Sequence, residues 1–147
     1  MIARKLLTLD ANVFVAALKM DEEYSDECSE ILGKVPKDFI LAEPSVVYIE
    51  VVGTLARKTS SEVAVKAEKT LGKMVNPLLI DLCDEKFCLE ASKLCSKYGV
   101  YAIDALYLAT AIYRNAVLTS LDKENFTDRI KERKPPIEVY HVSEFPY

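Results

Sequence analysis

The sequence predicts an α/β fold, a three-layer α/β/α sandwich around a central parallel sheet. Three observations predict it. Short apolar runs alternate along the chain with longer segments of helical spacing, the order expected when helices cover both faces of a parallel sheet. Turn signals such as Pro36-Lys37-Asp38 and Gly99 separate these segments. The length, 147 residues with half of them hydrophobic, suits one well-buried core and is short for two. One domain spanning residues 1–147 is expected.

The elements follow in order. Leu6–Leu9 is a short buried strand ended by Asp10-Ala11-Asn12. Val13–Met20 is a helix with Phe14, Ala17 and Leu18 on one face, broken by Asp21-Glu22-Glu23. Glu23–Lys34 is a more polar helix that turns Cys28, Ile31 and Leu32 inward. Phe39–Ala42 is the second strand, and Pro44-Ser45 opens a helix from Val46 to about Lys58. Thr59 and Glu62 have capping-box spacing for a helix reaching about Lys73. Pro77–Leu82 is a strand. Asp84–Tyr98 is a helix with Phe87, Cys88, Ala91, Leu94, Cys95 and Tyr98 on one face, ended by Gly99, which tolerates the left-handed conformation needed there. Ile103–Arg114 is a helix that begins with Asp104. Ala116–Thr119 is a strand, Lys123–Phe126 a helical turn, Asp128–Lys134 with Pro135-Pro136 a solvated loop, and Ile137–Val142 the last strand.

Composition narrows the chemistry. A net charge of −4 gives no general argument for nucleic acid, although acids gathered around metal ions would leave the remaining surface less negative than the sum implies. No apolar run approaches the ~18 residues of a membrane span. Arg4 and Lys5 precede an apolar run too short for a secretory leader and ended by Asp10, so a cytoplasmic location is expected. The cysteines, Cys28, Cys83, Cys88 and Cys95, lack C-x-x-C spacing and read as small buried hydrophobes in a reducing compartment. A disulfide from Cys28 to a later cysteine stays open, and a zinc site with the single His141 fits known ligand spacings poorly. Four ungrouped glycines exclude the phosphate-cradling loops. One histidine and no nucleophile elbow argue against a triad. Carboxylates remain as the dense reactive chemistry.

Four of them interrupt apolar company. Asp10 ends the run Lys5–Leu9, Glu50 interrupts Val46–Leu55, Asp104 is the only charge between Tyr98 and Tyr113, and Asp122 follows Val117–Leu121. Asp10 and Asp122 are also placed to cap helices, and Asp104 to favour a helix dipole. Glu50 has no such role, since it lies three and four residues past Val47 and Val46 on an apolar face. Four separate excuses are a poorer account than one acidic site assembled by the fold, and such a site needs a cation. By contrast, Asp21, Glu22, Glu23, Asp26, Glu27 and Glu30 read as a solvated face.

Leu9-Asp10-Ala11-Asn12-Val13-Phe14, Glu50 after Pro44-Ser45, Asp104-Ala105-Leu106-Tyr107-Leu108-Ala109 and Leu118-Thr119-Ser120-Leu121-Asp122 followed by Asn125-Phe126 resemble the PIN domain. The VapC-type toxin nucleases are the nearest style, and the resemblance covers essentially the whole chain. It implies a PIN-like α/β/α sandwich with a parallel sheet, an endoribonuclease activity dependent on Mg²⁺ or Mn²⁺, frequent homodimers and, for a toxin, a small antitoxin partner encoded nearby. The motif acids fall on Asp10, Glu50, Asp104 and Asp122, and a supporting polar residue on Ser120, with Thr119 second. Asn12 stands where Ser or Thr is frequent and joins Ser120 as a supporting residue. The segment Asp122–Phe126 is one residue longer than the common form, which counts against Asn125 as an auxiliary ligand.

The expected mechanism is metal-assisted in-line hydrolysis of RNA, with Asp10, Asp104 and Asp122 as ligands and Glu50 as a further ligand or water-orienting group. Arg57, Lys58, Arg114 and Lys123 are the cations near the motifs that could meet substrate phosphates. Two other readings are carried. One is a catalytically silent PIN-fold scaffold that binds RNA or protein. The other is a phosphoryl-accepting receiver domain, disfavoured because Ala11 and Asn12, not a second acid, follow Asp10.

Overall fold

Each apolar run becomes a strand in the computed structural model, which describes residues 3–147: β1 (Lys5–Leu9), β2 (Phe39–Pro44), β3 (Val75–Asp81), β4 (Val117–Ser120) and β5 (Val139–His141). Met1 and Ile2, which open the segment weighed as a leader, lie outside the described residues. All neighbouring strands pair in parallel, in the order β3-β2-β1-β4-β5. The helices are α1 (Ala11–Lys19), α2 (Ser25–Leu32), α3 (Val46–Lys58), α4 (Ser61–Met74), α5 (Glu85–Tyr98), α6 (Ala102–Arg114) and α7 (Asp128–Glu132). Parallel strands require crossovers. Here the first three each use two helices, and the resulting fold is the expected three-layer sandwich. Among the described residues no helix is long and apolar enough to cross a membrane.

The strand order decides where a site can form. The chain moves outward from β1 to β3, then returns through α5 and α6 to place β4 on the other side of β1. The order therefore reverses between β1 and β4, and in open parallel sheets the crevice at the carboxyl ends of such a pair is the usual ligand position. Leu9 is in register with Thr119, so Asp10 and the segment Ser120–Asp122 emerge side by side. The receiver reading fails on the same topology, because the receiver order is 2-1-3-4-5.

The core explains why α6 is apolar all round its middle. It packs on β1, β2 and β4, and every residue from Ala105 to Ala111 is buried. Leu7, Leu9, Leu41, Leu108 and Leu118 are fully enclosed, each stabilising the fold by roughly 1.5–3 kcal/mol. At the edge, β3 carries Pro77 and the exposed Leu78; a proline is tolerated there because edge amides need no partner.

Five sequence expectations need correction. The α4 cap is Ser60, whose hydroxyl accepts from the Val63 amide, while the Thr59 hydroxyl donates to the Leu55 carbonyl at the end of α3. The charged stretch after Thr127 is not a loop throughout: Asp128–Glu132 forms α7 because Ile130 is completely buried. Cys88 is exposed rather than buried on α5, whereas Cys28 is buried as expected and all four thiols are free. Strand β2 runs two residues past Ala42, which encloses Glu43. Glu22 is half-buried and leaves the solvated acidic face.

Candidate metal centre

Asp10 is the residue at which β1 hands over to α1. It has the backbone position of a helix cap, yet its carboxylate makes no capping bond. Its oxygens turn instead toward β4: the Ser120 hydroxyl donates to Oδ2 at 2.7 Å and the Asn12 amide donates to the same oxygen at 3.2 Å. The Asp10 amide donates to the Thr119 carbonyl at 3.0 Å. The acid is 6% exposed.

Ser120 and Asn12 form a small frame around it. Ser120 Oγ accepts from the Asp122 amide at 3.0 Å and from Asn12 Nδ2 at 3.2 Å. Asn12 Oδ1 accepts from the Leu121 amide at 3.1 Å. The start of α1 is thereby tied to the end of β4, and Asn12 serves as a crosslink. Thr119 takes no part: its hydroxyl is buried without a protein partner.

The other acids arrive from separate elements. Asp104 sits in the first turn of α6, whose N-cap residue Tyr101 makes no side-chain capping bond. Asp122 does cap the π-helical turn Lys123–Thr127, accepting from the Asn125 amide at 3.1 Å. Glu50, in the middle of α3, accepts from the Tyr107 hydroxyl of α6 at 2.6 Å. Asp10, Asn12, Glu50, Asp104 and Asp122 line one cavity of about 270 Å³, together with Glu22, Thr54 and Lys58.

Burial, and after it the crowding of like charge, displaces the protonation equilibria of these groups. Burial first, and then the charge of Asp104, push Asp10 up to about 7, against the opposing Ser120 bond. Burial, with Asp122 and Glu50, pushes Asp104 up to about 6. The Tyr107 phenol is raised by burial and by its bond to Glu50. A cation would reverse the penalty on both aspartates. The donors are carboxylate, amide and hydroxyl oxygens, which suit a hard divalent ion such as Mg²⁺ or Mn²⁺. Among the described residues no three His, Cys, Asp or Glu side chains converge tightly enough to form a ready-made cage. Mg²⁺ keeps several waters and binds through one or two carboxylates, so the open arrangement fits it.

Of the four cations singled out in the sequence, only Lys58 lines this cavity. Arg114 is committed to Asp81 at 2.8 Å. Lys123 is shared between Glu144 at 3.3 Å and Asp128 at 3.7 Å. Arg57 is exposed and does not line it. Glu50, Thr54 and Lys58 form an i, i+4, i+8 stripe on α3, a periodicity that could have pointed to Thr54. Glu22 gave no signal, because it is one of three consecutive acids; the left-handed Met20 that ends α1 redirects the chain there. Glu43, overlooked beside Pro44, is fully buried. Its Oε1 accepts from the Leu9 amide at 2.7 Å. Burial, opposed by that bond, and then the Asp10 charge hold its carboxyl well above the usual range.

The PIN domain family model matches residues 7–131. No curated protein matches the sequence. Solved structures with the same fold include the Sarcin-Ricin loop cleaving toxin VapC20 of Mycobacterium tuberculosis, at 13% identity and TM-score 0.67, covering 81% of this chain and 91% of that one. VapBC2 of Rickettsia felis, bound to a promoter DNA fragment, gives 18% and 0.63, with 92% and 98% covered. A toxin-antitoxin complex from Klebsiella pneumoniae gives 18% and 0.65, with 96% and 99% covered.

Proposed function

The chain belongs to the PIN domain family, and on that premise we propose that it is a metal-dependent endoribonuclease, the toxin of a toxin–antitoxin pair. The observation that carries this reading is the shared cavity, where acids from four separate segments meet with Lys58 beside them. A Mg²⁺ or Mn²⁺ ion held there would supply positive charge to the phosphodiester and lower the pKa of an attacking water. Asp10, Asp104 and Asp122 are assigned as its ligands. Ser120 and Asn12 orient Asp10 through the bonds described above, and such outer contacts sharpen a ligand's geometry. Glu50, held by the Tyr107 hydroxyl, is a further ligand, directly or through water, or orients the attacking water. Lys58 receives a substrate phosphate.

The purified protein is expected to cleave RNA with Mg²⁺ or Mn²⁺ and to stop in EDTA, and Asp10→Asn is expected to abolish cleavage. Cleavage that survives both EDTA and this substitution sinks the proposal. The scaffold reading has one observation in its favour, the lack of a ready-made acid cage among the described residues; calorimetric titration that detects no divalent-ion uptake would select it. The proposal extends to partners. Tyr48 and Ile49 on α3, with Tyr101 and Ile103 at the start of α6, expose apolar surface of the kind that marks protein contacts, in keeping with a homodimer and a small antitoxin. A small reading frame beside the gene is expected, and co-expression with it should yield a co-purifying, inhibited complex.

A further inference from the structure

The backbone ladder between β1 and β2 stops before the sheet edge. The last register pair is Leu7 with Leu41, and β2 also slips its register against β3 between Leu41 and Glu43. Beyond that point side chains replace the ladder. The Thr8 hydroxyl donates to the Ala42 carbonyl at 2.7 Å, and Glu43 Oε1 accepts the Leu9 amide at 2.7 Å. Leu9 immediately precedes Asp10, whose own amide is held on the opposite side by the Thr119 carbonyl of β4. The backbone that delivers Asp10 is thus fastened to β4 directly and to β2 through Glu43.

A carboxyl group is a costly way to fill this space. Glu43 is 0% exposed, and its Oε2 is buried without a partner, a desolvation cost that an apolar side chain would avoid. Nor does it line the acidic cavity, so it is not placed to touch an ion or a substrate. What distinguishes it from an apolar residue is the acceptor it presents to Leu9. We propose that Glu43 is a positioning residue: its carboxyl supplies the missing β1–β2 bond at Leu9 and so fixes where Asp10 leaves the sheet.

The inference rests on the reading of Asp10 as a metal ligand, and two readouts keep the two apart. Glu43→Gln keeps the reach and the acceptor. Glu43→Asp keeps the acid and shortens the reach by one methylene. Amide exchange at Leu9 in EDTA reports the bond, and Mn²⁺ calorimetry on the full chain reports its consequence. Glu43→Gln is expected to keep the Leu9 amide protected and to bind Mn²⁺ as the wild type does. Glu43→Asp is expected to lose that protection and to weaken Mn²⁺ binding about 10-fold or more, the usual penalty for removing an outer-contact partner. Equal Leu9 protection and equal Mn²⁺ affinity in wild type and Glu43→Asp overturn the proposal. So does a folded Glu43→Gln with weakened Mn²⁺ uptake, which also decides the matter if Glu43→Asp does not fold. A wild type that takes up no Mn²⁺ overturns the metal reading instead; the bond is then judged on exchange, and an unprotected Leu9 amide in the wild type overturns it.

Discussion

Asp10 is the proposed ligand whose charge the fold opposes most. Its carboxyl is pushed to about 7 by burial and by Asp104, so ionising it at neutral pH costs stability that a cation returns. Asp10→Asn should therefore raise the stability of the metal-free protein at pH 8 by roughly 1–3 kcal/mol while removing Mn²⁺ binding, a pairing that thermal melts with EDTA and with Mn²⁺ will check. An Asp10→Asn variant that loses stability in EDTA would argue that the carboxylate is a structural acceptor alone. Ser120 offers the complementary test, since its hydroxyl donates to Asp10 at 2.7 Å and accepts from the Asp122 amide at 3.0 Å. Ser120→Ala removes a bond that lowers the Asp10 pKa, so protons compete harder for the site. Mn²⁺ affinity is expected to drop about 10-fold, and its pH midpoint to move upward. A midpoint that stays fixed would separate Ser120 from the metal chemistry. Why these acids were legible and Glu43 was not follows from their neighbours. Asp10, Glu50, Asp104 and Asp122 each stand out against an apolar run, whereas Glu43, which also ends one, sits against Pro44-Ser45, where the strand gives way to the opening of the next helix. Only the packing of β2 beside β1, a tertiary event, encloses it and puts its Oε1 on the Leu9 amide.

At the scale of elements, α3 carries the division of labour. Glu50, Thr54 and Lys58 follow one flank of it into the cavity, while Val47, Val51 and Leu55 bury the flank beside it. The acid and the cation therefore cannot shift independently of the core. Lys58→Ala should raise the KM for RNA and reduce the salt dependence of binding by about one unit of slope, with Mn²⁺ affinity unchanged. Arg114→Ala should instead cost stability through Asp81 and leave the KM alone. A Lys58→Ala enzyme with wild-type KM would move the phosphate contact elsewhere. The junction between α5 and α6 sets Asp104, and Gly99 governs it. Its φ is +68°, and a Cβ there would lie 2.6 Å from an Arg133 guanidinium nitrogen. Gly99→Ala should destabilise the protein by about 1 kcal/mol or more, read as a lowered thermal midpoint. Helix α7 marks the limit of what periodicity reveals. Five residues with one buried isoleucine are too few for an amphipathic signal, and the charges around Ile130 concealed it.

The whole molecule was legible where pattern and topology agree. Alternating apolar runs and helical segments dictated a parallel sheet, but nothing local in the sequence states that β4 returns beside β1, and that return is what turns acids from four segments into one cavity. The same convergence makes the global stability depend on pH in a direction that can be worked out. Asp10 at about 7 and Asp104 at about 6 both lie above the unfolded value, near 3.9, and the buried Glu43 is shifted in the same direction. A raised acid pKa means that the folded state holds its proton more tightly, so the stabilisation is present at low pH and is lost as pH rises through about 6 and 7. Glu138 and Glu144 are shifted downward, and their contribution is lost only as pH falls below the usual carboxylate range, outside a scan from pH 5 to 8. In EDTA the thermal midpoint should fall across that scan. Mn²⁺ competes with the same protons, so its affinity should rise over the same interval, and at a hundredfold excess over Kd the added stability reaches about 2.7 kcal/mol. The gap between the two melting curves is then smallest at pH 5 and widest at pH 8. A metal-free midpoint that climbs from pH 5 to 8, or a gap that stays constant, would mean that Asp10 and Asp104 are not the groups whose repulsion the ion relieves.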